Sequence, residues 1–398
     1  TKMIKLRPHQ ERIVTNMTAN PKGQVIVPTG GGKTLCMIKD AQREFNSGNK
    51  WGFILKEVER KTIVVVSPRI LLAQQHSDSF EEYMGLHPML QRKVMHVHSG
   101  DTSHYSTTSA DTIKQWEKEH YRYNKLIFTT YHSLHRIQES GIHVDTVYFD
   151  EAHNSIQRHF FPAVEYFSGV DNTRCYFFTA TPKYNKDVYS PSMDDEEVYG
   201  KEIERISPRE LIDSGYILPP KLLVKELEMT EAGRTPVSKE SEHLIETIDE
   251  SNVDKILICA RRTSQIVNLL DETDFCKELA SRGYAWMYIT SKTGAYINGK
   301  KVDREEFFEV LTTWGKEDNK KFVVLHHSIL SEGINVPGLE AALFMRNMNY
   351  IAISQTIGRV IRTGDNDKKF GLVAIPVYDR VGISTAKKVT AMVETILA

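Results

Sequence analysis

Cysteine is scarce in this 398-residue chain: Cys36, Cys175, Cys259 and Cys276 lie far apart, and no C-x-x-C pair exists. Such spacing argues against a disulfide scaffold or a zinc ribbon. It points instead to free thiols in a reducing compartment, three of them in or beside apolar segments. Long hydrophobic runs are missing too. No apolar stretch approaches the ~20 residues that span a bilayer, and nothing resembles a signal peptide. The expectation is a soluble, intracellular protein with no membrane partner. An excess of one charge sign is also absent, the net charge being −1. No global basic field announces nucleic acid, so any phosphate-binding surface has to be local. Low-complexity segments and visible sequence repeats are lacking as well.

What the chain does have is a rhythm. Short runs rich in Val, Ile, Phe and Tyr recur: "QVIV" (24–27), "TIVVV" (62–66), "KLIFT" (125–129), "TVYF" (146–149) and "CYFFT" (175–179). Helical spacing lies between them, as at 35–45 and 71–83. Strands buried on both faces and alternating with helices predict an α/β domain with a mainly parallel sheet. The rhythm breaks at 182–220, a polar excursion and interdomain connection in which "ELIDSGY" reads as a short helix. It resumes with "KILICA" (255–260), "AWMYI" (285–289), "KFVVLHH" (321–327), "AALFM" (341–345) and "GLVAI" (371–375). Single cores stop growing at roughly 250–300 residues. Two α/β domains are therefore expected, over 1–205 and 223–398, joined by 206–222.

Three stretches carry chemistry. In "VIVPTGGGKTLCM" (25–37) an apolar run passes through three glycines into a helix start. Backbone N–H groups in such a loop, with the helix dipole behind them, bind anionic phosphates, and glycine lets oxygens reach the backbone. Thr29, Gly30, Gly31 and Gly32 would form this cradle. Lys33 would meet the β- and γ-phosphates of ATP, and the Thr34 hydroxyl would bind Mg²⁺. The strict pattern wants glycine at 27, where this chain has Val27. In "VYFDEAH" two acids end a strand: Asp150 would hold Mg²⁺ and Glu151 would polarise the attacking water. His153 lacks the partners of a zinc site and reads as a hydrogen-bonding link. In "SQTIGRVIR" (354–362), Arg359 and Arg362 share a helix face. Arg362 is expected to serve as an arginine finger, with Arg359 beside it and Gln355 positioning the water.

In combination these stretches resemble a superfamily 2 helicase or translocase core. "PTGGGKT" is similar to motif I, "SPRILLAQQ" to Ia, "FTTYHSL" to Ib, "DEAH" to II, "TAT" to III, "SEGINVPG" to V and "QTIGRVIR" to VI. The entry segment "LRPHQ" and "ELIDSGYILPPK" resemble the restriction-enzyme and repair-translocase branch. The resemblance implies two RecA-like domains with ATP between them. It also implies adenine contacts from Arg7 and Gln10, and nucleotide contacts from Gly333 and Asn335. Asn335 stands where the family has aspartate, and His327 where motif V has Thr or Ser, leaving Ser328 as the nearest hydroxyl.

Single-stranded nucleic acid, by the same resemblance, crosses both domains on Pro68, Arg69, Thr129, Thr130 and Ser328, with Arg261 and Arg262 as counterparts. The arginine pair reads equally as a solvated helix start. Thr179 and Thr181 would couple the nucleotide site to the strand. "HVHSG" (96–100) places two histidines on one side of a strand, and a surface or loop role is expected. "SKTGAYINGKKVDREEF" (291–307) is either a nucleic-acid contact or a polar loop with a hairpin turn.

The leading expectation is an ATP-dependent motor on DNA rather than RNA. The alternatives are the motor part of a restriction-type nuclease, with the nuclease in another subunit or segment, and an ATP-clamped nucleic-acid sensor that does not unwind. The one E-x-K, Glu59–Lys61, has no acidic partner upstream to complete a nuclease site.

Overall fold

The computed structural model describes residues 3–28, 31–47, 60–84, 92–100, 102, 104–216, 220–226, 237–260, 262–326, 339–344 and 371–377. Residues 29–31 aside, one compact unit runs to Ile206 and a second begins at Ser207.

In the first unit, helix α1 (Pro8–Ala19) leads into β1 (Lys22–Ile26), and α2 (Lys33–Ser47) follows. Strand β2 (Thr62–Ser67) then passes into α3 (Ile70–Tyr83). The remaining strands are β3 (Arg92–Val97), β4 (Tyr105–Ser106), β5 (Asn124–Thr130), β6 (Thr146–Phe149), β7 (Arg174–Thr179) and β8 (Glu202–Arg205). They form one sheet in the order β4-β3-β5-β2-β6-β7-β1-β8, and every neighbouring pair is parallel. All six residues of β2 and all seven of β5 are buried. That is why those runs read as continuously apolar rather than alternating. Phe149 of β6 pairs with both Val66 of β2 and Phe177 of β7, while Ile26 of β1 pairs with Thr179. The carboxyl ends of four adjacent strands therefore finish level, at the edge where open parallel sheets bind ligands.

The second unit repeats the plan. Strands β9 (Pro220–Glu226), β10 (Lys255–Cys259), β11 (Ala285–Thr290), β12 (Gly294–Ile297), β13 (Lys300–Val302), β14 (Phe322–His326), β15 (Ala341–Phe344) and β16 (Gly371–Val377) are ordered β13-β12-β11-β14-β10-β15-β16-β9. Among the described strands only the β11-β12-β13 edge is antiparallel. There Asn298 and Gly299, at φ 50° and 83°, make the tight turn that the "NGK" text expects. The units are thus α/β with mainly parallel sheets, as expected.

The excursion after residue 182 contributes a strand to the first unit: β8 inside it extends the first sheet beside β1, and the segment reads as polar because an edge strand has one side in solvent. One reading needs correction. His96 and His98 are not on the surface. They are 0% and 3% exposed on and just after β3, and their rings are joined by a 3.0 Å hydrogen bond. His96 also bonds Ser77 Oγ at 3.0 Å and stacks on His104. Beside them the donor atoms of Asp78, Glu81 and His104 lie within 4.8 Å of one another, the two acids exposed. Among the described residues, Cys36, Cys175 and Cys259 are buried free thiols and Cys276 is half-buried. No described helix is long and apolar enough to cross a membrane.

Burial, reinforced by the neighbouring histidines, pushes His96 down to about 3 from 6.5. A base depressed in the folded state favours folding above its unfolded pKa, and that contribution is lost as pH falls from about 6.5 toward 3. Urea midpoints across that window should therefore fall less steeply with acidification in His96→Phe than in the wild type. The slope should be smaller by about 1 kcal/mol per pH unit. Parallel profiles would show that His96 does not stay neutral in the fold.

Candidate nucleotide site

The level strand ends carry the residues singled out above. Motif I leaves β1 and enters α2, whose first turn is Lys33 and Thr34; Gly32 takes φ 74°, the left-handed conformation open to glycine. Gln10 of α1 ties this loop down. Its side-chain oxygen accepts from Arg7 N at 2.8 Å and its amide donates to Gly32 O at 3.0 Å. Gln10 is buried, whereas Arg7 is exposed.

Motif II leaves β6. Asp150 and Glu151 are each 1% exposed, and their burial is tolerated because Lys33 sits between them. Its ammonium lies 2.8 Å from Asp150 Oδ1 and donates to Glu151 Oε1. Burial alone would lower the Lys33 pKa, but the two carboxylates outweigh it and raise it above the usual lysine range. Burial likewise pushes Asp150 up, and Lys33 and His76 overcome this to hold it well below the usual carboxylate range. Several contacts fix the turn. Tyr131 Oη donates to Asp150 O at 2.7 Å, Glu151 N donates to Asp150 Oδ1 at 2.9 Å, and Asn154 Nδ2 donates to Glu151 O at 2.9 Å. Glu151 itself takes φ 48°, ψ 52°, a conformation that costs a non-glycine residue of order 1–3 kcal/mol and persists only where the surroundings impose it.

His153 is hydrogen-bonded to the end of the neighbouring strand. Its Nδ1 lies 2.9 Å from Thr179 Oγ1 at the end of β7, and the same hydroxyl accepts from Thr181 N at 3.1 Å. Burial lowers the His153 pKa against the pull of Glu151. The chain Glu151–His153–Thr179–Thr181 thus joins motif II to motif III, with His153 3.8 Å from Glu151 Oε2.

Sequence reasoning missed His76. It is 3% exposed on α3, on the face shared by Leu72, Ala73 and Phe80. Its Nε2 is 2.7 Å from Asp150 Oδ2 and its Nδ1 3.4 Å from Thr34 Oγ1. The available signal was a histidine on the apolar face of a helix that starts at a strand end. The motif Ia resemblance stopped at Gln75, one residue short.

The expected nucleic-acid contacts divide. Pro68 and Arg69 are half-exposed just after β2. Among the described residues, buried side-chain atoms without a hydrogen-bond partner include Ser67 Oγ, Arg69 Nε, Gln75 Oε1 and Thr181 Oγ1. Thr129 and Thr130 do not fit their expected role. They complete β5, are 0% and 4% exposed, and the Thr129 hydroxyl donates to Val97 O at 2.7 Å. Successive strand residues face opposite sides of the sheet, and both sides of β5 are covered, which leaves the two side chains almost no solvent contact. Thr29, Gly30, Arg261, Ser328, Gly333, Asn335, Gln355, Arg359 and Arg362 lie outside the described residues; Arg262 precedes the helix Thr263–Glu272.

Residues 3–184 match the family model described as Type III restriction enzyme, res subunit. No curated protein matches the chain. Among solved structures, the ATP-dependent Type ISP restriction-modification enzyme LlaBIII bound to DNA aligns at TM-score 0.73 and 18% identity, over 99% of this chain and 30% of its own. A nuclease-deletion mutant of the Type ISP enzyme LlaGI, in complex with a DNA substrate mimic, aligns at TM-score 0.66 and 20% identity, over 98% and 29%. S. cerevisiae Dbp5 bound to RNA and ADP BeF3 aligns at TM-score 0.61 and 14% identity, over 99% and 88%. The chain spans about three tenths of the length of the two restriction enzymes. Its fold is that of tandem RecA-like domains, and it resembles a superfamily 2 motor core of the restriction-enzyme type.

The ion cluster itself can be tested without assuming a ligand. Lys33→Met removes the one cation that both buried carboxylates share, and breaking a buried ion pair from one side typically costs about 3–5 kcal/mol. Adding Glu151→Gln removes one charge and should restore part of that loss. Urea denaturation of both variants checks this; midpoints equal to the wild type would mean that Lys33 does not neutralise the pair.

Proposed function

We propose that this chain is an ATP-driven motor on nucleic acid, DNA in preference to RNA. ATP and Mg²⁺ are its cofactors, and phosphoryl transfer to water is its reaction. The observation that carries this reading is Lys33 at the start of α2, held by the two consecutive acids that end β6. A lysine after a glycine loop, facing paired acids that follow another strand of the same sheet, is a donor set suited to phosphoryl transfer. The Thr34 hydroxyl and the Asp150 carboxylate are hard oxygen donors of the kind Mg²⁺ takes. Bound there, the ion would offset phosphate charge.

In this reading Lys33 exchanges the carboxylates for phosphate oxygens when nucleotide binds. Glu151, aimed by its left-handed backbone and by Asn154, takes the proton of the attacking water. Its change of partner passes through His153 and Thr179 to Thr181. Arg7 and Gln10 sit at the adenine end, and Thr29 and Gly30 complete the cradle. Gly333 and Asn335 add nucleotide contacts. Arg362 serves as the finger, with Arg359 beside it and Gln355 on the water. Pro68, Arg69, Arg261 and Ser328 touch the strand backbone, which positions it without reading sequence. A domain boundary near 206–222 makes that region the hinge.

One further reading has an observation behind it. The match to the restriction res subunit, and the likeness to enzymes more than three times longer, favour a motor that works beside a nuclease in a larger protein or assembly.

ATP hydrolysis should rise with added single- or double-stranded DNA more than with RNA, and triplex displacement should accompany it. Glu151→Gln should keep nucleotide affinity while turnover falls about 10²–10⁴-fold. Arg362→Ala should lose up to about 10³–10⁵-fold. Hydrolysis without strand displacement would replace the motor with a clamp. Undiminished turnover in Glu151→Gln would overturn the assigned chemistry.

A further inference from the structure

We propose that His76 is a positioning residue for the divalent cation that accompanies the nucleotide; this rests on the ATPase reading above. One imidazole spans the two oxygen donors named for that ion, with Nε2 2.7 Å from Asp150 Oδ2 and Nδ1 3.4 Å from Thr34 Oγ1. The logic of the protons is constrained. An ionised carboxylate only accepts, so Nε2 carries the hydrogen and donates to Asp150. In the proposed arrangement Nδ1 is bare and accepts from the Thr34 hydroxyl, the donor that faces it. That contact turns the threonine proton toward His76 and leaves the hydroxyl lone pairs facing away. A hard cation needs lone pairs rather than protons from its ligands, and the groups that set such rotors tune affinity from behind the ligand shell.

The remaining Asp150 contacts agree with this division. Oδ2 belongs to His76, whereas Oδ1 is held by Lys33 and by Glu151 N. His76 therefore fixes one carboxylate oxygen and one hydroxyl together, from a helix rather than from either motif loop. Packing holds the ring in place: His76 lies on the buried face of α3 with Leu72, Ala73, Ser77 and Phe80. Glutamine is the other side chain with one donor and one acceptor near the end of a chain of comparable reach. It should reproduce both contacts, and leucine neither.

The test uses the full chain with a fluorescent ADP (the N-methylanthraniloyl derivative), titrated with Mg²⁺. The half-saturating Mg²⁺ concentration should rise about 10- to 100-fold in His76→Leu. It should stay within about threefold of the wild type in His76→Gln, and the metal-free affinity for the probe should not change in either variant. Equal Mg²⁺ requirements in the wild type and His76→Leu would overturn the proposal, as would a His76→Gln defect as large as that of leucine. Should the leucine variant not fold, ring ¹⁵N spectra of the wild type decide: a His76 protonated at Nε2 and bare at Nδ1 supports the arrangement, and the opposite tautomer or a ring protonated at both nitrogens refutes it. The two readings fail differently. A wild type that binds no probe with Mg²⁺ sinks the ATPase reading and this one with it. A wild type that binds normally beside an unaffected leucine variant sinks this one alone.

Discussion

The first unit depends on one ammonium placed between two buried carboxylates. Asp150 and Glu151 follow each other in sequence at the end of β6, and without Lys33 two like charges would share a desolvated corner. Burial of ion pairs is seldom a route to stability, because desolvation offsets most of the attraction. Their retention at the edge of a parallel sheet is better explained by a job that needs charge there. The left-handed Glu151 points the same way, since the surrounding bonds hold it in a conformation an ordinary turn would avoid.

Much of the remaining architecture serves to bring that corner together. The register of β1, β2, β6 and β7 levels their carboxyl ends, so residues from positions 33, 76, 150 and 179 meet although they are far apart in the chain. At the opposite end of the strands a second ion network fastens α2 to the sheet. Arg174 Nη2 lies 2.8 Å from Asp40 Oδ1, and Tyr148 donates to the same carboxylate. The helix that carries Lys33 is therefore held at its first turn and again at its middle. A rigid mount of this kind suits a side chain that has to change partners without losing its place.

Much of this was legible in the sequence. Buried parallel strands announce themselves as unbroken apolar runs, and "TVYF" is the observed β6 residue for residue. Glycine-rich loops and acid pairs are legible because their chemistry tolerates few substitutes, and the place of His153 beside Thr179 follows from motif II and motif III sharing a sheet edge. What escaped was of two kinds. Edge strands such as β8 are half-solvated, so "EIER" carries no apolar signature. Buried polar residues look like surface text: His76, His96 and Thr129 each have a partner 19 to 74 residues away, which no local pattern encodes. Periodicity marks which face of a helix is inward, but not that a histidine on it meets an aspartate.

A crystal structure of the chain with Mg²⁺ and a non-hydrolysable ATP analogue would put the exchange of partners at Lys33 to the test. Lys33 Nζ should leave Glu151 and lie about 2.9 Å from a phosphate oxygen, with Asp150 still bonded to His76. An analogue bound elsewhere, with Lys33 still clasped by both acids, would refute the exchange and the ATPase reading built on it.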